Sequence, residues 1–345
     1  MPEVNKRVIR IAVDGMGGDY APGEVVEGAV YAAQKGGMEV ILTGPLSILE
    51  GELAKYGSSG NLPIRCVEAS EVIKEGESPA LAVRHKRNSS VVVATKLVKT
   101  GEADAVVSAG STGATAVSAI AYLGMIEGLE RPAIAAPFKG FGSDVIVIDI
   151  GGNVDCKPHQ FLSFAIAGSI YARKLFNVAN PTVGLLSTGM EEGKGSEAIR
   201  EGYLLLKNSG LNFVGNVEGS DILSGRVNVV VCDGLIGNVL IKFYQSLGNY
   251  AVDFIKRKLR KYPLSGRIVN SLFARLFPIS KLAYEGEEAG GGILWGVDGV
   301  VRITHGASRA PHIAQAIASA KNSVQADVVG YLKSELAKVR AENKL

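Results

Sequence analysis

Residues 10–19 read Arg10-Ile11-Ala12-Val13-Asp14-Gly15-Met16-Gly17-Gly18-Asp19, and they decide the fold class. Arg10–Asp14 is a short apolar run, the pattern of a buried strand. A strand that stops on an aspartate and enters a glycine cluster turns sharply, because glycine carries no Cβ. Ala21-Pro22 then opens a helical pattern over 23–35, where proline suits the first turn. Strand, glycine turn and helix in that order are the first half of a βαβ unit, whose sheet is parallel.

The same order repeats along the chain. Glu39–Thr43 is a second strand, with a helix from about 45 to 56, and Ile64–Val67 is a third. One long helix is expected over roughly 79–100, ahead of strand Ala105–Ser108 and a helix at 113–124. Ala133–Ala136 and Val145–Asp149 read as an adjacent strand pair. Helix 158–175, strand Thr182–Leu186, helix 195–208 and strands Asn212–Val214 and Val227–Cys232 follow. A long helix over about 237–261, strands Ile293–Gly296 and Val300–Thr304, and a final helix over about 308–338 complete the pattern. This alternation predicts an α/β fold, a mostly parallel sheet with helices on both faces.

Composition agrees. The 345 residues are 47% hydrophobic and 21% charged, enough core for a single α/β catalytic domain over 1–345 or for two lobes. Aromatics make up only 6%, and the 43 glycines gather at turns, as suits a parallel sheet covered by helices. A net charge of +3 points to no nucleic-acid partner. Cys66, Cys156 and Cys232 are far apart and form no CxxC pair, so they read as buried structural thiols rather than a zinc site or disulfide framework. The N-terminus lacks the apolar core of a signal peptide, and no uncharged apolar run is long enough to span a membrane. These features suggest a cytoplasmic enzyme, with no metal and no cofactor implied.

Ligands in such folds bind beyond the carboxyl ends of the strands. Four glycine turns fall there: Asp14 to Asp19, with Gly17 and Gly18; Ser108 to Gly113, with Gly110, Ser111 and Thr112; Asp149 to Asp155, with Asn153; and Asp233 to Asn238, with Gly237. Glycines let an anion approach backbone N–H groups, and the following helix N-terminus adds partial positive charge. One such turn is only a tight turn, whereas four at one sheet edge suggest a shared anion site. None matches GxxxxGK[ST] or GxGxxG, so no nucleotide fingerprint is present. Lys194, in the flexible Ser187–Gly195 segment, is either a solvated lysine or a cation for phosphate or a carbonyl oxygen. His305, in a further strand-to-helix turn, either donates to a ligand or caps structure. The basic run Arg84-His85-Lys86-Arg87 is a solvated helix face or a face for an acidic partner.

Taken together, these turns resemble one family. Val13-Asp14-Gly15-Met16-Gly17-Gly18-Asp19-Tyr20-Ala21-Pro22, Ser108 to Ala114, Asp149 to Pro158, Gly215-Asn216-Val217-Glu218, Asp233 to Asn238 and Thr304-His305-Gly306 are similar, in unbroken order, to the motifs of PlsX-type phosphate acyltransferases. The resemblance implies a fold like isopropylmalate dehydrogenases and phosphotransacetylases, and a homodimer. It implies transfer of a fatty acyl group from acyl carrier protein to inorganic phosphate, by direct attack without an acyl-enzyme; the alternative is a phosphotransacetylase-like enzyme that uses acyl-CoA. The acyl phosphate formed would feed phospholipid synthesis, through a downstream membrane acyltransferase. By motif, the family's catalytic lysine and asparagine fall on Lys194 and Asn238. Asp14, Gly17, Gly18, Gly110, Ser111, Thr112, Gly113, Asn153, Asp233, Gly237 and His305 are the expected phosphate and substrate contacts. The chain departs from the family at Gly15, where alanine is common, and over Ala307-Ser308-Arg309.

One segment stands outside the sheet pattern. Across 256–284, Leu264, Ile268, Leu272 and Leu276 recur at helical spacing, as do Val269, Phe273 and Phe277, beside Lys256, Arg257, Lys258, Arg260 and Lys261. A basic amphipathic helix of this kind lies on anionic lipid, here the inner face of the cell membrane, or packs on a partner subunit.

Overall fold

The computed structural model describes residues 7–57, 62–138, 143–259 and 291–341. In chain order the elements are β1 (Ile9–Asp14), α1 (Gly23–Gln34), β2 (Met38–Gly44), α2 (Leu46–Ala54), β3 (Ile64–Glu68), α3 (Pro79–His85), α4 (Ser90–Lys99), β4 (Ala105–Ser108) and α5 (Thr112–Tyr122). Next come β5 (Ala133–Phe138), β6 (Val145–Ile148), α6 (Pro158–Phe176), β7 (Val183–Leu186), α7 (Glu197–Lys207), β8 (Phe213–Val217), α8 (Gly219–Ser224), β9 (Val229–Val231) and α9 (Gly234–Leu259). The last are β10 (Gly292–Trp295), β11 (Val300–Ile303), α10 (Ala310–Gln325) and α11 (Val328–Ala341).

These fall into two compact units: one runs to Ile134 and resumes at Gly290, and the other lies between. In the first, the strands run β3-β2-β1-β4-β11-β10, all parallel except for β10. Helices α1 and α10 pack on one another and on the sheet, while α4 and α5 form a separate layer with α3. In the second unit the order is β5-β6-β9-β7-β8, parallel except for β5. Here the period of two along a strand divides the core. Val145 and Val147 of β6 and Val230 of β9 point to a cluster sealed by Leu240, Ile241 and Tyr244 of α9. Ile148 and Val229 point the other way, onto α6 at Gly168. Both faces are therefore covered, and the apolar strands need not alternate with polar residues.

The helix expected over 79–100 is two helices. The chain leaves α3 at Lys86, and Asn88–Ser90 pair with Glu71 instead: Glu71 N–H donates to Asn88 O at 3.2 Å, and Ser90 N–H to Glu71 O at 3.1 Å. The Glu71 carboxylate accepts from Asn88 N–H at 3.0 Å, so a long-range contact overrides local helix propensity. The final helix is also divided, at Asp327, whose φ is 47° and whose carboxylate accepts from Gly330 N–H to cap α11. Helix α9 starts at Gly234, before the expected 237, so Asn238 lies within the helix rather than in a turn. Of the three cysteines only Cys232 is buried. Cys66, inside β3, and Cys156 are half-exposed, which corrects the reading of all three as buried.

Most of the amphipathic segment, including Leu264, Ile268, Leu272, Phe273, Leu276 and Phe277, lies outside the described residues. Among the described residues, no helix is long and apolar enough to cross a membrane.

Candidate active site

In the first unit, three neighbouring strands β1, β4 and β11 end in turns that are tied together. Asp14, the last residue of β1, is 3% exposed. Its Oδ2 accepts from the Ser108 hydroxyl at 2.8 Å, and the Ser108 Oγ accepts from Gly110 N–H at 3.0 Å. Its Oδ1 accepts from Met16 N–H at 3.4 Å. Burial raises the Asp14 carboxyl above the ordinary aspartate range, while the hydroxyls of Ser90 and Ser108 and the N–H groups of Met16 and Gly17 oppose that rise. The β1 turn also donates from Asp19 N–H to Gly306 O at 2.8 Å, and Thr304 pairs its hydroxyl with Ser308 at 2.8 Å.

This packing leaves no room for a side chain at Gly17. A Cβ there would stand 2.3 Å from Asp14 Oδ2 and 2.8 Å from Gly110 N. Ser111 caps α5, its hydroxyl accepting from Ala114 N–H at 3.4 Å. Thr112 and Gly113 therefore occupy the first turn of α5, where N–H groups have no acceptor within the helix. Gly18, Gly110, Ser111, Thr112 and Gly113 are all partly accessible, and His305 is exposed. The first unit thus presents amide and hydroxyl donors around a buried carboxylate.

The second unit repeats the device. Asp149 follows β6 and is fully buried. Its Oδ1 accepts from Gly151 N–H at 3.1 Å and Gly152 N–H at 2.9 Å, and its Oδ2 from Asn153 N–H at 2.6 Å and Asn153 Nδ2 at 2.8 Å. The next turn locks onto this one, with Gly234 N–H donating to Asn153 O at 2.7 Å. Asp233 caps α9 through Ile236 N–H at 2.8 Å. Gly237 passes so close to the Asp149 carbonyl that a Cβ would fall 1.9 Å from its oxygen. That crossing carries Asn238 to Gly151: its Cγ is 3.9 Å from the place a Gly151 Cβ would occupy.

Asp14, Asn153 and Asp233 accordingly use their side chains to hold turns. Lys194 is different, being exposed, with no carboxylate partner for its ammonium among the described residues. Its turn is held from below. The Glu191 carbonyl accepts both Lys194 N–H at 3.0 Å and Asn216 Nδ2 at 2.8 Å, and Ser196 caps α7 just beyond. Asn216 is only 2% exposed. Sequence reasoning gave no role to Asn216, Ser108 or Asp149; the available signal was a polar residue inside, or at the end of, an apolar strand. Cys232, beside Asp149, is no candidate nucleophile. Burial, then the nearby Asp149 and Asp233 carboxylates, push its thiol well above the ordinary range.

A family model described as "Fatty acid synthesis protein" matches residues 9–330. The chain is 43% identical over 336 residues to a phosphate acyltransferase of Pelotomaculum thermopropionicum, covering 97% of each protein. It is 45% identical over 309 residues to a phosphate acyltransferase of Geotalea daltonii, covering 90% of this chain and 89% of that one. Among solved structures it is similar to a phosphotransacetylase from Streptococcus pyogenes, with a TM-score of 0.62 at 18% identity, covering 93% of this chain and 95% of the other. A branched-chain phosphotransacylase from Enterococcus faecalis gives 0.56 at 14%, covering 92% and 99%. At those identities the likeness is one of fold, and it matches the fold class expected from the sequence.

Asn216→Asp keeps the side-chain shape but replaces the donor to Glu191 O with a carboxylate oxygen. Losing about 1 kcal/mol there corresponds to roughly fivefold faster hydrogen exchange at the Lys194 amide. Exchange monitored by mass spectrometry checks this; an unchanged rate in the Ser187–Gly195 peptide would contradict the bracing role.

Proposed function

The chain belongs to the fatty acid synthesis protein family of phosphate acyltransferases, and from that membership we propose that it transfers a fatty acyl group from acyl carrier protein to inorganic phosphate. The observation that carries the reading is the set of three turns after β1, β4 and β11: Asp14 and Ser108 tie the first two, and Asp19 N–H ties the first to the third at Gly306 O. They offer backbone amides and hydroxyls rather than a nucleotide motif, which suits a small oxyanion.

Phosphate needs no strong base to act as a nucleophile, so the protein's tasks are holding it and stabilising charge. A phosphate oxygen bonds to the thioester carbonyl carbon, the C–S bond breaks, and the thiolate leaves and takes up a proton. Amides of the glycine turns with Ser111 and Thr112 hold the phosphate. Lys194 and Asn238 stabilise the oxyanion that develops on the carbonyl. The crossing at Gly237 holds the backbone of Asn238 and Asn216 braces the turn of Lys194, and this support for both residues favours these roles. The attack is direct. The burial of Cys232, which pushes its thiol up and away from the nucleophilic thiolate, supports this.

Lys194→Ala should lower turnover by about 100-fold to 1,000-fold, the usual cost of removing an oxyanion donor. The melting temperature should not move, because the side chain is exposed. Acyl phosphate trapped as hydroxamate measures the rate, and near-wild-type formation would remove Lys194 from the mechanism.

The proposal includes a homodimer. One side of α9 packs on the core, while Ile236, Val239, Phe243, Leu247, Tyr250 and Phe254 recur every three or four residues on the other and are exposed, Phe243 by 65%. A continuous apolar stripe of this kind asks for a cover, and a second copy's α9 is the matching surface. Light scattering should give the dimer mass for the wild-type chain and the monomer mass for Phe243→Glu with Leu247→Glu. A wild-type monomer would reject the assignment.

A further inference from the structure

Between Ser78 and Gly101 the chain has no Asp or Glu, but it carries Arg84, Lys86, Arg87, Lys96 and Lys99. Lys86 is committed to structure, donating to Glu77 at 2.6 Å and to Val72 O at 2.9 Å. The other nearby carboxylate, Glu71, accepts from Asn88 N–H. Arg84, Arg87 and Lys96 have no carboxylate partner among the described residues. They are gathered all the same. Arg87 Nε donates to Arg84 O at 3.3 Å, Lys96 Nζ donates to Arg87 O at 2.7 Å, and Lys96 stands 5.3 Å from the centre of the Tyr122 ring. Backbone carbonyls and a ring face thus gather positive side chains with no carboxylate among them, a surface suited to an outside anion.

The same face holds Leu81, 57% exposed, and Arg84 and His85 follow it at three and four residues, on one side of α3. An apolar contact framed by cations is the anatomy of a protein-docking patch. Its position is informative too. Pro79, the first residue of α3, packs on Gly113: a Cβ at Gly113 would meet Pro79 Cγ at 2.7 Å. The patch therefore adjoins the Ser111–Gly113 turn, with Arg84 only about 8 Å further along α3 at 1.5 Å per residue.

We propose that Leu81, Arg84, His85, Arg87 and Lys96 form the docking surface for a carboxylate-rich protein, the carrier of the acyl thioester. This rests on the acyl-carrier reading above and assigns it a place on the molecule. A protein fits better than a bilayer, because α3 spans 7 residues and Leu81 is the one large apolar side chain exposed among residues 79–100. A lipid-facing helix needs a broad apolar face.

The test compares two thioesters, acyl carrier protein and CoA, on wild-type protein and on Arg84→Glu with Arg87→Glu. Neither arginine belongs to the proposed catalytic machinery. The expected result is a KM for the carrier thioester raised about tenfold or more, with kcat and the CoA reaction within about twofold of wild type. The wild-type carrier KM should also climb between about 50 and 300 mM salt, and the variant's should stay flat. Arg84→Gln with Arg87→Gln should fall between the two, and melting temperatures report folding. An unchanged carrier KM, equal loss with both thioesters, or loss confined to vesicle binding would overturn the docking surface. A wild-type protein that turns over the CoA thioester but no carrier thioester would overturn the functional reading, and the surface with it.

Discussion

A carboxylate at the end of a buried strand has to be met by donors, because leaving a charge or a polar group unsatisfied inside a protein costs several kcal/mol. Asp14 and Asp149 impose that requirement, one in each unit, and the turns beyond their strands satisfy it. At Asp149 four N–H bonds from three successive residues converge on one carboxylate. At Asp14 the Ser108 hydroxyl links β1 to β4 and hands the bond on to Gly110. The glycines follow from this constraint. Gly17 and Gly237 stand where a second backbone segment or a carboxylate oxygen occupies the space of a Cβ.

Fixing the turns from inside leaves their outer faces free for chemistry. Donors that are already placed do not have to reorganise as charge develops on a substrate, which is the main source of electrostatic catalysis. The proposed roles divide along that line. Side chains facing inward, those of Asp14, Asp149, Asn153 and Asn216, hold backbone, and the partly exposed Asp233 caps α9. Outward groups, the first-turn amides of α5 and the ammonium of Lys194, meet the substrate. The division also explains why no basic residue sits within the turns after β1 and β4: partial charges of amides suit an anion that must be both held and allowed to react.

The repeating unit of the fold was legible because strand, glycine turn and helix each follow from local periodicity and backbone freedom. The breaks were not. Residues 86–89 leave the helix for Glu71, which lies far back in the chain, and local propensity carries no information about such a partner. The start of α9 was misplaced for a related reason: glycine reads as turn, yet Gly234 and Gly237 lie in the helix and are glycines because Asp149 and Asn153 leave no room for a Cβ there. Asp14, Asn153 and Asp233 were recognisable as polar residues of the glycine turns, but which way each side chain faces depends on burial. Asn216 was visible only as a motif position. Its use, bracing the Lys194 turn through Glu191 O, needs two strand ends and a loop brought together.

The central claim is that phosphate itself attacks the thioester and that the protein carries no acyl group. Mixing the enzyme with an equal concentration of acyl carrier protein thioester, without phosphate, and weighing the intact protein after a rapid quench tests it most directly. The account predicts no release of carrier thiol and no mass gain until phosphate is added, followed by one acyl phosphate per thioester consumed. A burst of carrier thiol with a stoichiometric acyl adduct on the enzyme, formed before phosphate arrives, would contradict it.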